Sequence, residues 1–280
     1  MTEEKSKLAH WCTNLIEATQ SPYAIYGMGK FGKALLQVIS RLGLPAPFQQ
    51  QHMDIYFTDH HCCSRHIAPE FYLAPLSQAE AVMHLKQLFH RWCSFIAEND
   101  STFWLGAGSL LGAWRNQSII PWDDDIDVGM LSADFLKLIE TMQRNYSPKQ
   151  HGDWIEIFEN DTEVLRISPT WQDVCLEENS AYWVDGKFVD KTSGLWVDIF
   201  VYHPVNENRL IRKFPLQGEL KYFSRDMFLP LTPIKFEQES TFAPNNIKNY
   251  LKLLYGLNLN CPDHEYSNGQ WARIPLRKTE

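Results

Sequence analysis

The sequence lacks the features by which secreted and membrane proteins are recognised. Its apolar stretches fall well short of 18 residues, so we expect no membrane-spanning helix. The first seven residues, Met1–Lys7, contain no apolar segment, so we expect no secretory signal. Six cysteines in 280 residues are also too few for a disulfide scaffold. Together these absences predict a cytoplasmic protein.

An excess of positive charge is missing as well. The chain has 26 basic and 34 acidic side chains and a net charge of −8, which disfavours a protein that coats nucleic acid or anionic lipid. Residues 121–200 alone hold 17 acidic and six basic side chains. We therefore interpret the negative charge as a local property of that segment. The 44% hydrophobic and 21% charged fractions are those of a folded globular protein.

A glycine-rich turn stands near the start of the chain. A short apolar run leads into the motif G-x-G-x-x-G, formed by Gly27, Gly29 and Gly32, and a segment with helical spacing follows it. Such glycines allow a tight turn that presents helix N–H groups to a phosphate. A full dinucleotide domain needs two βαβαβ halves, and residues 1–75 are too few for them. We predict a truncated Rossmann-like βαβ module over residues 1–75, with either a nucleotide-binding or a purely structural role.

A helix start marks the second predicted domain, residues 76–280. Ser77 and Glu80 have the spacing of a capping box, in which each side chain bonds the other residue's backbone N–H. Apolar residues then recur at helical spacing as far as Asn99, which predicts an amphipathic helix that faces the core.

The next segment begins with a strand and a Gly-Ala-Gly-Ser turn. The sequence predicts a strand over residues 103–105 and a short helix over residues 110–115. Gly108 would let the backbone approach a ligand closely, and Ser109 with the helix N-terminus would donate hydrogen bonds to phosphate oxygens.

Four aspartates follow within five positions, namely Asp123, Asp124, Asp125 and Asp127. In Asp125-Ile-Asp127 the carboxylates alternate with an apolar residue, so on a strand both lie on one face. Paired carboxylates suit Mg²⁺, which prefers oxygen ligands. A solvated acidic turn is the alternative, but the apolar flanks of the motif argue against it.

A later apolar run carries a single carboxylate, Asp198. The run Leu195–Tyr202 predicts a strand, and an Asp inside such a strand is costly unless it binds something. A neighbouring position in the sheet would let Asp198 complete a metal site with Asp125 and Asp127. An edge-strand Asp that faces water is the alternative.

These motifs resemble those of a known family. The order Gly-Ser, then Asp-x-Asp between apolar residues, then a distant Asp in an apolar strand is typical of the nucleotidyltransferase superfamily. Within it, GSLLGAWRNQSIIPWDDDIDVGM is similar to the LicD family, which includes bacterial phosphocholine transferases and the fukutin-related proteins. The run WVDIF (196–200) and the Tyr-Leu…Tyr-Gly ending within residues 248–256 extend the resemblance.

The resemblance implies an α/β (α+β) fold, a nucleotidyltransferase-like mixed sheet with flanking helices, preceded here by the Rossmann-like module. It implies an enzyme that moves a phospho-alcohol group, such as phosphocholine or a polyol phosphate, from a CDP-activated donor to a glycan or glycolipid hydroxyl. Such transfer belongs to the synthesis of cell-surface polysaccharides such as lipopolysaccharide. The resemblance therefore also implies a location at the inner face of the membrane.

The expected site consists of two groups of residues. The aspartates would hold Mg²⁺ or Mn²⁺ and carry the catalysis: Asp123, Asp125, Asp127 and Asp198. Gly108, Ser109 and Arg115 would bind the donor. Two alternatives stay open. A nucleotidyltransferase that attaches a nucleoside monophosphate would use the same motifs, whereas a nucleotide-binding sensor without catalysis would hold a dinucleotide at Gly27, Gly29 and Gly32 and have a degenerate acidic motif.

Overall fold

A computed structural model describes residues 68–71, 76–173, 184–212, 222–255 and 259, together with the backbone of two short strands near the C-terminus. Gly27, Gly29 and Gly32 lie outside the described residues, so the Rossmann-like module and the boundary at residue 75 stay predictions.

Nine of the described strands form one mixed sheet. Its main path runs in the order β1-β2-β7-β6-β5-β4-β3, and β8 and β9 extend it beside β7. The strands are β1 (Trp104–Leu105), β2 (Ile126–Leu131), β3 (Lys149–His151), β4 (Trp154–Glu159), β5 (Glu163–Ile167), β6 (Gly186–Asp190), β7 (Trp196–Asn206), β8 (Arg209–Arg212) and β9 (Tyr222–Ser224). Only the pairing of β2 with β7 is parallel among the described strands of this sheet; the others are antiparallel.

Five α-helices and two hairpins accompany this sheet in the described part of the chain. The helices are α1 (Gln78–Glu98), α2 (Ala107–Asn116), α3 (Ser132–Asn145), α4 (Arg225–Phe228) and α5 (Ile247–Tyr255). The hairpins pair β10 (Thr232–Phe236) with β11 (Glu239–Ala243), and β12 (His264–Ser267) with β13 (Gln270–Arg273).

Helices α1 and α3 cover one face of the sheet with apolar side chains. The rings of Trp92 and Phe95 in α1 lie 5.4 Å and 5.0 Å from the ring of Phe188 in β6. Because side chains alternate along a strand, the neighbour of Phe188 in β6, Lys187, lies on the opposite face. The helix-covered face is therefore the apolar core, and the opposite face is where polar groups gather.

Two structures border the polar face of the sheet. At one end Ala68 donates a backbone hydrogen bond to Gly194 and packs with Trp196. At the other end α5 packs its buried Tyr250 against Tyr202 of β7, with the two hydroxyls 2.9 Å apart. The space between these ends holds the acidic residues.

The expected fold class is confirmed, because a large mixed sheet with flanking helices forms the described core. The capping box is also present, since Ser77 and Glu80 bond each other's backbone N–H groups. The second short helix differs from the prediction: it begins at Ala107 rather than at residue 110. None of the described helices combines the length and apolarity that crossing a bilayer requires.

Candidate active site

Asp127 and Asp198 lie side by side on adjacent strands. They are register partners in the parallel pairing of β2 with β7, so their carboxylates project from the same face of the sheet. Asp127 is 9% exposed and Asp198 is 5% exposed. Ile126 and Val197, which precede them, are fully buried among apolar residues and hold both strands in this register.

Helix α2 is attached to Asp127 by three hydrogen bonds. The backbone N–H of Gly106 donates to the Asp127 carbonyl at 2.9 Å, and that of Gly108 donates to Asp127 Oδ2 at 3.0 Å. In return the Asp127 N–H donates to Ser109 Oγ at 2.9 Å. Gly106, at the N-cap, has no side chain to offer, so the Asp127 carboxylate caps the helix from another strand. This capping explains why helix α2 begins before Gly108 and Ser109 rather than after them.

The structure thus gives Gly108 and Ser109 partners within the protein. The Gly108 N–H bonds a carboxylate, and Ser109 is 2% exposed. Their expected contact with a donor phosphate stays a prediction. Asp123 lies against the same helix turn, since a Cβ atom added to Gly108 would stand 2.7 Å from Asp123 Oδ2. The group that approaches Gly108 closely, and for which a glycine is needed here, is therefore the Asp123 carboxylate.

A hairpin fixes the loop that carries the acidic run. Glu237, between β10 and β11, accepts hydrogen bonds from Ser118 Oγ at 2.5 Å and from the Ile119 N–H at 2.7 Å. Its own backbone N–H donates to the Gln117 carbonyl at 3.0 Å, and Lys86 of α1 lies 3.0 Å from its second oxygen. These contacts hold the start of the loop that leads to Asp123. Glu237 could not be predicted from the sequence, because its contacts join segments that are far apart along the chain.

The aspartates form two overlapping groups. One carboxylate oxygen from each of Asp125, Asp127 and Asp198 lies within 4.8 Å of the others, and the same holds for Asp123, Asp124 and Asp125. Mg–O bonds of about 2.1 Å place oxygens on opposite sides of the ion about 4.2 Å apart, so small side-chain adjustments would let either group bind one ion. An oxygen-only ligand set also suits Mg²⁺ or Mn²⁺ better than Zn²⁺. The residues present fit such a cation.

A row of charged register partners crosses the polar face of the sheet. Starting from β4, each residue pairs with the next on the neighbouring strand: Glu156, Arg166, Lys187, Asp198 and Asp127. We call this set the charged row. Lys187 is absent from the residues that the sequence predicts for the site. The sequence does contain one signal for it. In the strand Gly186-Lys-Phe-Val-Asp190 side chains alternate between the two faces, so Lys187 lies on the face opposite to that of the apolar Phe188.

Two residues near the aspartates have shifted pKa values. Burial lowers the pKa of Lys187, and the charges of Asp198 and Asp125 act in the opposite direction. Burial raises the pKa of Tyr255, and the negative charges of Asp127, Asp123 and Asp125 raise it further. Tyr255 ends α5, close enough to the aspartates for their charges to act on its hydroxyl group.

Arg115 lies at the far end of α2. Its Nε donates to the Leu259 carbonyl at 2.7 Å, which ties the helix to the segment that follows α5. Its expected contact with the donor stays a prediction.

The comparison with known protein families decides the assignment. A family model described as "LicD/FKTN/FKRP, nucleotidyltransferase domain" matches residues 100–246, more than half of the chain. The chain belongs to the LicD family. The LicD match begins just before β1 and ends after β11, so it contains the four aspartates of the candidate site, Lys187 and Glu237. The resemblance inferred from the motifs is thereby confirmed.

Curated relatives of this LicD-family chain are similar over parts of their length. The human and mouse proteins named ribitol 5-phosphate transferase FKRP are 27% identical over 161 residues, 55% of this chain and 27% of theirs. The lipopolysaccharide cholinephosphotransferase LicD of Haemophilus influenzae is 27% identical over 108 residues, 33% of this chain and 40% of its own. An uncharacterized protein of Rickettsia prowazekii is 39% identical over 56 residues, 20% of this chain and 21% of its own. The chain thus spans less than half of the length of each of these relatives.

Proposed function

We propose that the protein is a metal-dependent transferase that moves a phospho-alcohol group from a CDP-activated donor to a hydroxyl of a glycan or glycolipid. The observation that carries the proposal is the convergence of Asp125, Asp127 and Asp198 in a LicD-family domain. The names of two relatives, a ribitol 5-phosphate transferase and a cholinephosphotransferase, support a phospho-alcohol as the group transferred.

The reaction asks for positioning and charge stabilisation rather than a covalent intermediate. An acceptor oxygen forms a bond to the donor phosphorus that carries the alcohol, the bond from that phosphorus to the bridging oxygen breaks, and CMP leaves. A bound Mg²⁺ or Mn²⁺ ion would offset the negative charge of the phosphate oxygens. Asp125, Asp127 and Asp198 would hold this ion, with Asp123 beside them. One of Asp127 and Asp198 accepts the proton of the acceptor hydroxyl.

The wider context of the reaction is proposed on the same basis. We expect the protein to act in the synthesis of cell-surface polysaccharide, in the cytoplasm and at the inner face of the membrane. The predicted module with Gly27, Gly29 and Gly32 would then precede the catalytic domain and could bind a nucleotide of its own.

A nucleotidyltransferase is the main alternative, because the same carboxylates would serve it. The products separate the two reactions: a phospho-alcohol transferase releases CMP from a CDP-alcohol, whereas a nucleotidyltransferase releases pyrophosphate from CTP or ATP. A non-catalytic nucleotide sensor would bind nucleotides and release neither product.

The experiment measures CMP released from CDP-ribitol and CDP-choline by the full chain with Mg²⁺, Mn²⁺ or EDTA. We expect cation-dependent release that falls by more than about 100-fold in Asp198→Asn, since even residues that only support metal ligands contribute 10- to 100-fold. Asp161→Asn is the matched control, because Asp161 is exposed in the turn between β4 and β5. Undiminished release by Asp198→Asn would contradict the assignment.

A further inference from the structure

The two cations in the charged row differ in the anions that they face. Arg166 Nε and Nη2 donate to Glu156 Oε1 at 3.0 Å and 2.9 Å, and Arg166 also forms an ion pair with Glu70. Two glutamates outside the aspartate cluster thus balance the guanidinium. Lys187 pairs in register with Asp198 instead and lies next to the candidate metal ligands.

Aromatic rings hold the Lys187 ammonium at this point. Its Nζ lies 3.5 Å from the ring centre of Trp196 and 5.3 Å from that of Trp154. Trp196 is two residues before Asp198 on β7, so the ring and the carboxylate project from the same face. These ring contacts restrict a flexible side chain at a position where the charges of Asp198 and Asp125 still act on its ammonium group.

Cation binding by the aspartates would change the balance of charge around Lys187. A divalent ion bound by Asp125 and Asp198 would offset the negative charge of these carboxylates, and their attraction for the Lys187 ammonium would weaken. The half-buried Lys187 would then carry positive charge in poorly hydrated surroundings, where an added anion is favoured. Phosphate oxygens are such an anion, and a lysine binds them as a point charge.

We infer that Lys187 binds a non-bridging phosphate oxygen of the donor pyrophosphate, next to the cation held by the aspartates. This inference rests on the proposed function for the identity of the donor. It makes Lys187 a substrate-binding residue, contributed by β6 and placed by the pairing of β6 with β7.

The test uses inorganic pyrophosphate as the probe, so that neither nucleoside nor alcohol enters the measurement. Calorimetry on the full chain gives the affinity for Mn²⁺ alone and then for pyrophosphate at saturating Mn²⁺. We expect Lys187→Gln to weaken pyrophosphate binding about 10- to 100-fold, the range for a hydrogen bond to a charged group. Mn²⁺ alone should bind Lys187→Gln at least as tightly as wild type, because a nearby positive charge has been removed.

Two further variants make the result specific. Lys191→Gln removes the same charge from the residue that follows β6. Lys191 Nζ forms an ion pair with Glu159 at 2.9 Å rather than with the aspartates of the candidate site. This variant should leave pyrophosphate binding unchanged. Lys187→Arg keeps the charge and should retain a larger share of the affinity than Lys187→Gln. Thermal unfolding of each variant confirms that it is folded before it is compared.

Three results would overturn the inference: wild type that does not bind pyrophosphate with Mn²⁺, Lys187→Gln that binds it as wild type does, and Lys187→Gln that loses affinity for Mn²⁺ and pyrophosphate alike. Failure of the proposed function looks different. In that case pyrophosphate binding depends on Lys187, yet the wild type releases no CMP from a CDP-alcohol.

Discussion

The carboxylate of Asp123 occupies the space that a side chain at Gly108 would need. A Cβ atom on Gly108 would lie 2.7 Å from Asp123 Oδ2, whereas one on Gly106 would lie no closer than 3.7 Å to any neighbour. Both glycines lie at the start of the same helix, two residues apart. They differ in that only Gly108 has a side-chain oxygen within 3 Å of the position that a Cβ atom would take.

Gly108→Ala should therefore impair the site without impairing the fold. The added methyl group displaces a flexible carboxylate, which costs little, while alanine favours the helix by about 1 kcal/mol over glycine. We expect CMP release to fall at least about 10-fold, equivalent to about 1.4 kcal/mol in the barrier, with an unchanged or higher melting temperature.

Gly106→Ala is the matched control for that variant. It should keep its activity and lose some stability, because alanine is a poorer N-cap than glycine. Equal activity losses in both variants would argue against a specific role for the space next to Gly108.

Divalent cations should stabilise the protein through the aspartate cluster. A ligand at 100 times its dissociation constant stabilises the folded state by about 2.7 kcal/mol. We expect the melting temperature to rise with MnCl₂ and to stay constant with NaCl of equal ionic strength. In Asp125→Asn, which belongs to both aspartate groups, this rise should be absent. A full rise in that variant would place the cation elsewhere.

Gly129→Ala should destabilise the fold. A Cβ atom there would lie 2.4 Å from Trp104 Nε1, and the Trp104 ring is itself packed 5.1 Å from Tyr202 and 5.5 Å from Phe228. Overpacking of this kind costs about 1–3 kcal/mol, which urea unfolding would measure.

A second substitution tests the cause of that loss. Trp104→Phe leaves a cavity by itself, but it removes the part of the indole that the new methyl group would meet. The double variant should therefore lose less stability than the two single losses added together. Additive losses would show that the methyl group acts on something other than the indole.

Cys93 should be slow to react with alkylating reagents. Burial, with a contribution from the charge of Glu239, raises the pKa of its thiol from 9.0 to about 12. At pH 8 the thiolate fraction is then about 1000-fold lower than for a thiol of ordinary pKa, and only the thiolate reacts. Peptide mass spectrometry after iodoacetamide treatment should show slow labelling at pH 8 that speeds up tenfold per pH unit. Unfolding in urea should restore the rate, and equally fast labelling of native Cys93 would contradict the burial.

The sequence predicts much of the site because its polar residues break strong local patterns. Asp127 and Asp198 each interrupt an apolar strand, and the alternation places each carboxylate on a definite face. The capping box formed by Ser77 and Glu80 is equally local, since both of its hydrogen bonds lie within one helix turn.

The features that could not be predicted depend on contacts between distant segments. Helix α2 begins early because Asp127 caps it across the sheet, and a Gly-Ala-Gly-Ser stretch judged alone indicates a turn. Lys187 becomes a neighbour of Asp198 only through antiparallel pairing, and Glu237 reaches the acidic loop from a hairpin far along the chain.

The parallel pairing of β2 with β7 also bears on how the protein reaches its native state. Parallel neighbours need a long connection, and here it includes α3 and the strands β3 to β6. Pairings of high sequence separation slow folding, because a long loop must close before the new contacts stabilise the chain. A nascent chain that ends before Trp196 lacks Asp198 altogether. Binding of a cation by Asp127 and Asp198 together requires the pairing of β2 with β7, so Mn²⁺ binding during refolding would report when that pairing has formed.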